Sequence, residues 1–163
     1  MGLETIGFAR TSIAVRFGYP GRMHGRVLAL DLGARRIGLA VSDPEQTLAF
    51  PAGHLERVGA QRALEALQAL ADEREISRIV VGLPLHLDGG DGDAARSARE
   101  FAQALAHQTS LPVDLLDERW TTREADRSVE AAGSSSRRQK RRREKLDAVA
   151  ATLILSTYLE RRK

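Results

Sequence analysis

Three apolar segments follow one another between residues 26 and 58 with only short turns between them, and this spacing constrains the fold more than any other feature. The segments are "RVLALD", "RIGLAVSD" and "TLAFPAGHLERV", and the connections are the turn-forming "LGAR" and "DPEQ". Connections this short are typical of antiparallel neighbours. We therefore predict three consecutive strands that form an antiparallel meander.

After the meander, the pattern alternates between helix and strand. Leucines 64, 67 and 70 have helical spacing, and the apolar run "SRIVVGLP" predicts a buried strand that stops at Gly and Pro. The remaining segments predict a helix at about residues 94–108, a strand in "LPVDLLDE", a helix in "TTREADRSVEAAG" and a last helix in "KLDAVAATLILSTYLERR". This order predicts an α/β fold with a five-stranded mixed sheet flanked by helices. Periodicity does not give the order of the strands.

The length of 163 residues is that of one domain, and we expect this domain to span residues 26–163. Residues 1–25 show no clear period, and Met23 is a plausible alternative start, so we expect an extension outside the fold. No apolar run approaches the roughly 20 residues that span a bilayer. Cysteine is absent, which excludes disulfides and thiolate metal sites and suits a reducing, cytoplasmic location.

The positive charge of the chain is concentrated in one short segment. Residues 137–145, "RRQKRRREK", hold seven basic residues and one acid, which leaves 18 basic and 21 acidic residues elsewhere. A dense cationic block on an otherwise acidic domain predicts attraction to a polyanion, of which nucleic acid is the commonest. The alternative is a solvated loop that improves solubility.

Three acids stand at the ends of predicted buried elements. Asp31 follows "VLAL", and Glu118 follows "VDLLD". Asp147 stands at the start of the predicted last helix, where a helical wheel places it on the core-facing side with Leu146, Ala150, Ile154 and Tyr158. Each alone has an ordinary explanation, as a turn former, a loop charge or a partner of the helix dipole. Together they would repel one another unless a cation neutralised them. Hard divalent ions take such oxygen ligands and promote phosphodiester hydrolysis, so we predict a nuclease site.

Glycines and arginines surround the turn after Asp31. Gly33 and Gly38 flank "ARRI" and are expected to permit a tight turn between the first two strands. Arg35 and Arg36 at its tip could clamp a phosphate or keep the hairpin solvated.

Four motifs of the chain resemble, in order and spacing, those of the YqgF family, also called RuvX. They are "LALDLGARRIGLAVSDP", "IVVGLPLHLDG", "VDLLDERWTTREA" and "KLDAVAATLILSTYLE". Members of this family are described as Holliday junction resolvases and as pre-16S rRNA nucleases. The resemblance runs from about residue 26 to residue 163. It departs from the family pattern at Trp120, where leucine is usual, and at His86, where asparagine is common.

The resemblance implies a ribonuclease H-like fold with strand order 3-2-1-4-5 and an acidic cluster that binds Mg²⁺ or Mn²⁺. The family's acids fall on Asp31, Glu118 and Asp147, and Arg36 and Arg119 match basic positions of the motifs. The nucleic-acid-binding set that we predict consists of Arg35, Arg36, Arg119, Arg137, Arg138, Lys140, Arg141, Arg142, Arg143 and Lys145.

The favoured hypothesis is a metal-dependent endonuclease acting on structured nucleic acid, either precursor 16S rRNA at its 5′ end or Holliday junctions. A junction resolvase would act as a homodimer that presents two sites, whereas an rRNA-processing nuclease need not be dimeric. A second hypothesis is a non-catalytic nucleic-acid-binding module with a degenerate acidic site. A third is a nucleotide-binding phosphotransferase, since "DLG…RIG" also resembles the phosphate loop of the sugar kinase and actin superfold.

Overall fold

A computed structural model describes residues 13–17, 25–85, 92–117 and 137–162, and it describes only the backbone of 13–17 and 137–145. The strands are β1 Ile13–Phe17, β2 Arg26–Leu32, β3 Arg36–Ser42, β4 Ala49–Glu56, β5 Ile76–Leu83 and β6 Val113–Asp117. The helices are α1 Ala60–Glu73, α2 Asp93–Thr109 and α3 Arg137–Glu160. The predicted helix in "TTREADRSVEAAG" lies outside the described residues.

The strands form one mixed sheet in the order β1-β6-β5-β2-β3-β4. β2, β3 and β4 pair antiparallel, as the meander predicts, while β2, β5 and β6 run parallel to one another. If β1 is left aside and β2 is numbered as the first strand, the order from β4 to β6 is the predicted 3-2-1-4-5. The α/β fold class is confirmed, and β2, which carries Asp31, is a central strand.

One edge of the sheet carries a strand that the sequence did not predict. β1 pairs antiparallel with β6, with Ile13 opposite Leu116 and Phe17 opposite Val113. The expectation that residues 1–25 lie outside the fold is therefore wrong for this segment. An added edge strand is held by the unpaired backbone groups of its neighbour, so the segment needs no alternating pattern of its own.

The helices cover opposite faces of the sheet. Leu28, Leu30 and Ile37 point toward α1 and α2 and belong to the larger of two hydrophobic clusters. Val27, Ala29 and Ala40 point the other way, into a second cluster with α3. Because successive side chains of a strand alternate between faces, odd-numbered residues of β2 and even-numbered residues of β3 face α3.

The last helix begins earlier than its apolar pattern indicated. α3 starts at Arg137, so its first turns contain the basic block, which the solubility alternative had placed in a loop. Arginine and lysine are good helix formers, which accounts for the earlier start. Along its apolar stretch, Ile154 and Tyr158 are fully buried as predicted. Leu146, which was expected to face the core, is 38% exposed.

The turn between β3 and β4 is organised by one aspartate. The Asp43 carboxylate accepts hydrogen bonds from the backbone N–H groups of Thr47 and Leu48, at 2.7 and 2.8 Å, and from the Thr47 hydroxyl at 2.6 Å. The bond from Leu48, followed by the Thr47 hydroxyl, lowers the pKa of Asp43. Asp43 is therefore a turn residue. In the described part of the chain, no helix has the length and apolar character needed to cross a membrane.

Candidate active site

Asp31 projects from the middle of the sheet toward α3. It is the sixth residue of β2, and its odd position in the alternation places its side chain on the face shared with Val27 and Ala29. Only 8% of the residue is exposed. The carboxyl end of a buried strand thus places a carboxylate on the face that α3 covers. A charged group with so little exposure requires partners.

Gly38 is the neighbour of Asp31 on β3, and α3 passes directly over it. Asp31 and Gly38 are paired across the β2–β3 ladder, and both face α3. A Cβ atom built on Gly38 would overlap the carbonyl oxygen of Asp147 and come 3.3 Å from its Cα atom. The backbone of Asp147 therefore rests on the position next to Asp31. Two acidic residues that are 116 positions apart in sequence thus lie on adjacent elements at this point of the sheet.

This contact corrects the role expected for Gly38. Gly38 lies inside β3 and not in the turn, and its missing side chain makes room for the helix. Gly33 does have the expected turn role, because its N–H donates to the Arg36 carbonyl at 2.8 Å and a Cβ there would lie 2.7 Å from that same oxygen. Arg57 supports this hairpin by donating to the Gly33 carbonyl at 3.2 Å and through its N–H to the Arg35 carbonyl at 2.9 Å.

Arg36 stands between two acids at the edge of this site. Its Nη1 lies 3.8 Å from Oδ2 of Asp147, and its Nε donates to Oε1 of Glu56 at 3.2 Å. The side chain of Asp147 is 26% exposed and that of Arg36 is 19% exposed. Arg36 therefore contacts a candidate metal ligand, whereas Arg35 is exposed at the tip of the hairpin.

His54 and Glu56 are site neighbours that the sequence reasoning missed. Gly38 pairs with His54, and Arg36 pairs with Glu56, across the β3–β4 ladder. The Nε2 atom of His54 lies 3.7 Å from Oε1 of Glu56. Asp31, Gly38 and His54 thus form one transverse row across three strands. Only the strand register could have identified this row, and no motif in "AFPAGHLE" signals it.

A family model named RuvX and described as Holliday junction resolvase matches residues 25–161. The chain belongs to the RuvX family. The assignment made from the four sequence motifs is confirmed.

Several relatives of this RuvX chain carry the name "Putative pre-16S rRNA nuclease". A protein of Koribacter versatilis is 46% identical over 143 residues, which cover 88% of this chain and 92% of the relative. A protein of Anaeromyxobacter dehalogenans is 43% identical over 137 residues, covering 84% and 98% of the two chains. The family description and the names of the relatives are those of nucleases, which agrees with the predicted hydrolase class.

A solved structure of Thermus thermophilus RuvC in complex with a Holliday junction substrate has the same fold. The TM-score is 0.51 at 13% identity, and the match covers 84% of the RuvX chain and 96% of the RuvC chain. At this identity the likeness shows the architecture alone. It supports the ribonuclease H-like fold that the motifs implied.

Several predicted site residues of the RuvX chain lie outside the described residues. They are Glu118, Arg119 and the side chains of Arg137, Arg138, Lys140, Arg141, Arg142, Arg143 and Lys145. Within the described ranges, no group of three His, Cys, Asp or Glu side chains could hold a metal ion. Of the predicted triad, the structure describes Asp31 and Asp147, and it places the Asp147 backbone over Gly38, the ladder partner of Asp31.

The surroundings of these aspartates fit a hard cation. Carboxylate oxygens are the donors that Mg²⁺ and Mn²⁺ prefer, and one or two carboxylates are enough when water and phosphate complete the coordination. On β5, Gly82 pairs with Leu116 and directly follows Val81, the ladder partner of Leu30, so a residue without a side chain continues the register next to Asp31. The carboxylate oxygens of Asp31 and Asp147 are therefore donors of the kind that a divalent ion bound to a substrate phosphate would use.

Proposed function

We propose that this RuvX chain is a metal-dependent endonuclease that hydrolyses phosphodiester bonds during 5′-end processing of precursor 16S rRNA. The observation that carries the proposal is the placement of the Asp147 backbone over Gly38, directly beside the buried Asp31. The carboxylates of Asp31, near the end of a central strand, and of Asp147, on the helix above it, would bind a divalent cation, and the same cation would draw a phosphate to the site. Such a substrate would place the protein in the cytoplasm.

Asp31, Asp147 and Glu118 are the proposed ligands of Mg²⁺ or Mn²⁺. Glu118 is included because residues 114 and 116 of β6 face α3, and the same alternation would assign position 118 to that face. A bound divalent ion supplies Lewis-acid stabilisation of the phosphate oxygens and lowers the pKa of a bound water. The protein's contribution is to fix the carboxylates before the substrate arrives, which avoids reorganisation at the moment of reaction.

Other side chains around the acids bind and orient the substrate. Arg36 holds the Asp147 carboxylate from the β3 side and limits its rotation. The basic first turns of α3 lead directly into Asp147, so the arginines and lysines of residues 137–145 would contact the phosphates that flank the cleaved bond. Arg35, exposed at the tip of the β2–β3 hairpin, would add a further phosphate contact.

The names of the relatives favour precursor 16S rRNA as the substrate. Proteins at 38–46% identity that align with nearly their whole length carry that name. The second candidate, a DNA Holliday junction, is favoured by the description of the family model. That activity would require a homodimer, because two strands must be cut symmetrically.

The decisive test is a cleavage assay that compares a precursor 16S rRNA fragment with a four-way DNA junction. Wild type, Asp31→Asn and Asp147→Asn are assayed with Mg²⁺ and with Mn²⁺. Wild-type protein should cut the rRNA fragment at its 5′ side, and each variant should lose about a hundredfold or more of that activity, since even residues that only support metal ligands contribute 10–100-fold. Both variants should still bind the RNA, because the basic residues are unchanged.

Two outcomes would redirect the assignment. Junction cleavage without rRNA cleavage would make the DNA junction the substrate of the same site. Binding of both nucleic acids with no cleavage under any metal condition would reject the nuclease and favour the binding module.

A further inference from the structure

A buried polar network fastens the far end of α3 to the sheet. The Tyr158 hydroxyl donates a hydrogen bond to the Asp114 carboxylate, and Nη1 of Arg78 lies 2.9 Å from the same carboxylate oxygen. Asp114 and Tyr158 are fully buried. These groups are away from Asp31 and take no part in the proposed chemistry, so their burial calls for a separate explanation.

The geometry of α3 relates this network to the acidic site. Asp147 rests on Gly38 of β3, and Tyr158 is fastened to Asp114 of β6. Eleven residues of helix rise about 16 Å, and three strand spacings, from β3 across β2 and β5 to β6, cover about 14 Å. Between these two points the helix packs on β3, β2 and β5, with Val27, Ala29 and Ala40 beneath it.

We propose that Gly38, Asp114 and Tyr158 are positioning residues that fix α3 at two points and thereby set the placement of Asp147 beside Asp31. This inference rests on the proposed metal site and adds the residues that hold it together. A buried ion pair contributes little net stability, but it can select one register over others. A shift of α3 by one residue would turn the Tyr158 hydroxyl about 100° away from Asp114 and would turn Asp147 away from Asp31 by the same angle.

Local chemistry supports this assignment of Asp114 and Tyr158. Burial, followed by the charge of Asp114, raises the pKa of the Tyr158 hydroxyl, so the hydroxyl remains a donor at neutral pH. The Arg162 guanidinium lies 5.6 Å from the centre of the Tyr158 ring and also donates to Gln46 at 2.9 Å. At the other end, any side chain on residue 38 would push the helix away from the sheet.

The test measures Mn²⁺ affinity by calorimetry in wild type, Gly38→Ala and Tyr158→Phe, together with kcat and KM for the cleaved substrate. Ile79→Val is the control, because Ile79 is fully buried on the other face of the sheet, where it packs toward α1 and α2. Both positioning variants should bind Mn²⁺ about tenfold more weakly, the usual effect of losing support for a metal ligand. They should lower kcat more than they raise KM, while Ile79→Val should keep the wild-type affinity.

The outcomes separate this inference from the proposed function. Wild-type Mn²⁺ affinity in Tyr158→Phe would overturn the inference even if Gly38→Ala failed to fold. Equal weakening in Ile79→Val would overturn it too, because the effect would then follow general destabilisation. A wild-type protein that binds no Mn²⁺ would reject the metal site and this inference together.

Discussion

The guanidinium of Arg36 lies 3.8 Å from the carboxylate of Asp147 and is held from its other side by Glu56. Replacing Arg36 by Gln should therefore disturb the position of the Asp147 carboxylate more than it disturbs substrate binding. We expect a fall in kcat of about tenfold, the lower end of what supporting residues of a metal site contribute. Arg36→Lys should recover part of the loss, since it keeps the charge but not the planar geometry. Steady-state kinetics measure both effects.

Arg35→Gln is the matched control for this prediction. It removes the same charge from the neighbouring residue, which is exposed at the hairpin tip. Its effect should fall mainly on KM. If the two variants gave the same kcat and the same KM, the contact with Asp147 would have no catalytic consequence.

The basic first turns of α3 predict a salt-dependent affinity for nucleic acid. Changing Arg141, Arg142 and Arg143 together to Gln should reduce the slope of log affinity against log salt concentration by about 2 to 3, if each arginine neutralises one phosphate. Fluorescence anisotropy at several salt concentrations measures this slope.

A control with the same change in charge separates contact from net charge. Arg62, Arg74 and Arg96 are exposed residues of the α1 and α2 side, on the other face of the sheet. Their triple Gln variant should keep the wild-type slope. An equal reduction in both triple variants would mean that the overall charge, and not the start of α3, determines binding.

The hydrogen bond from Tyr158 to Asp114 predicts a loss of stability in strong alkali. Burial and Asp114 raise the pKa of the tyrosine above its ordinary value of 10.0. A raised pKa in the folded state stabilises the protein fully below the unfolded value, and the stabilisation is lost as the pH rises from about 10 through the folded pKa. Tyr158→Phe should cost about 1.5–3 kcal/mol at neutral pH, the range for a hydrogen bond to a charged group.

Urea unfolding of wild type and Tyr158→Phe between pH 7 and pH 11 tests whether the stabilisation by Tyr158 decreases with pH. The difference in free energy of unfolding should stay constant up to about pH 10 and shrink above it. A difference that grows with pH would contradict the assigned direction of the shift.

The spacing of apolar runs predicted most of the fold because each run is a local signal. Turns that are too short for a helix identified the meander, and the motif resemblance supplied the strand order. β1 was missed because its pairing depends on the open edge of β6 and not on a pattern of its own. The early start of α3 was missed because a basic run looks the same in a loop and in a solvated helix.

The sequence predicted only those residues of the candidate site that a local sequence pattern marks. Asp31 and Asp147 stood out as acids beside apolar runs, and the structure places the Asp147 backbone over Gly38, the ladder partner of Asp31. Gly38 was assigned to a turn because its true role depends on a helix more than 100 residues later. His54 and Glu56 become neighbours of the site only through the β3–β4 register, which a single sequence does not reveal.

Calorimetric titration of Mn²⁺ into wild type, Asp31→Asn and Asp147→Asn tests the central claim most directly. If both aspartates ligate a shared ion, wild type should bind Mn²⁺, and each single variant should lose about a hundredfold or more in affinity while unfolding at a temperature close to that of wild type. Undiminished Mn²⁺ affinity in either variant would contradict a metal site built from Asp31 and Asp147.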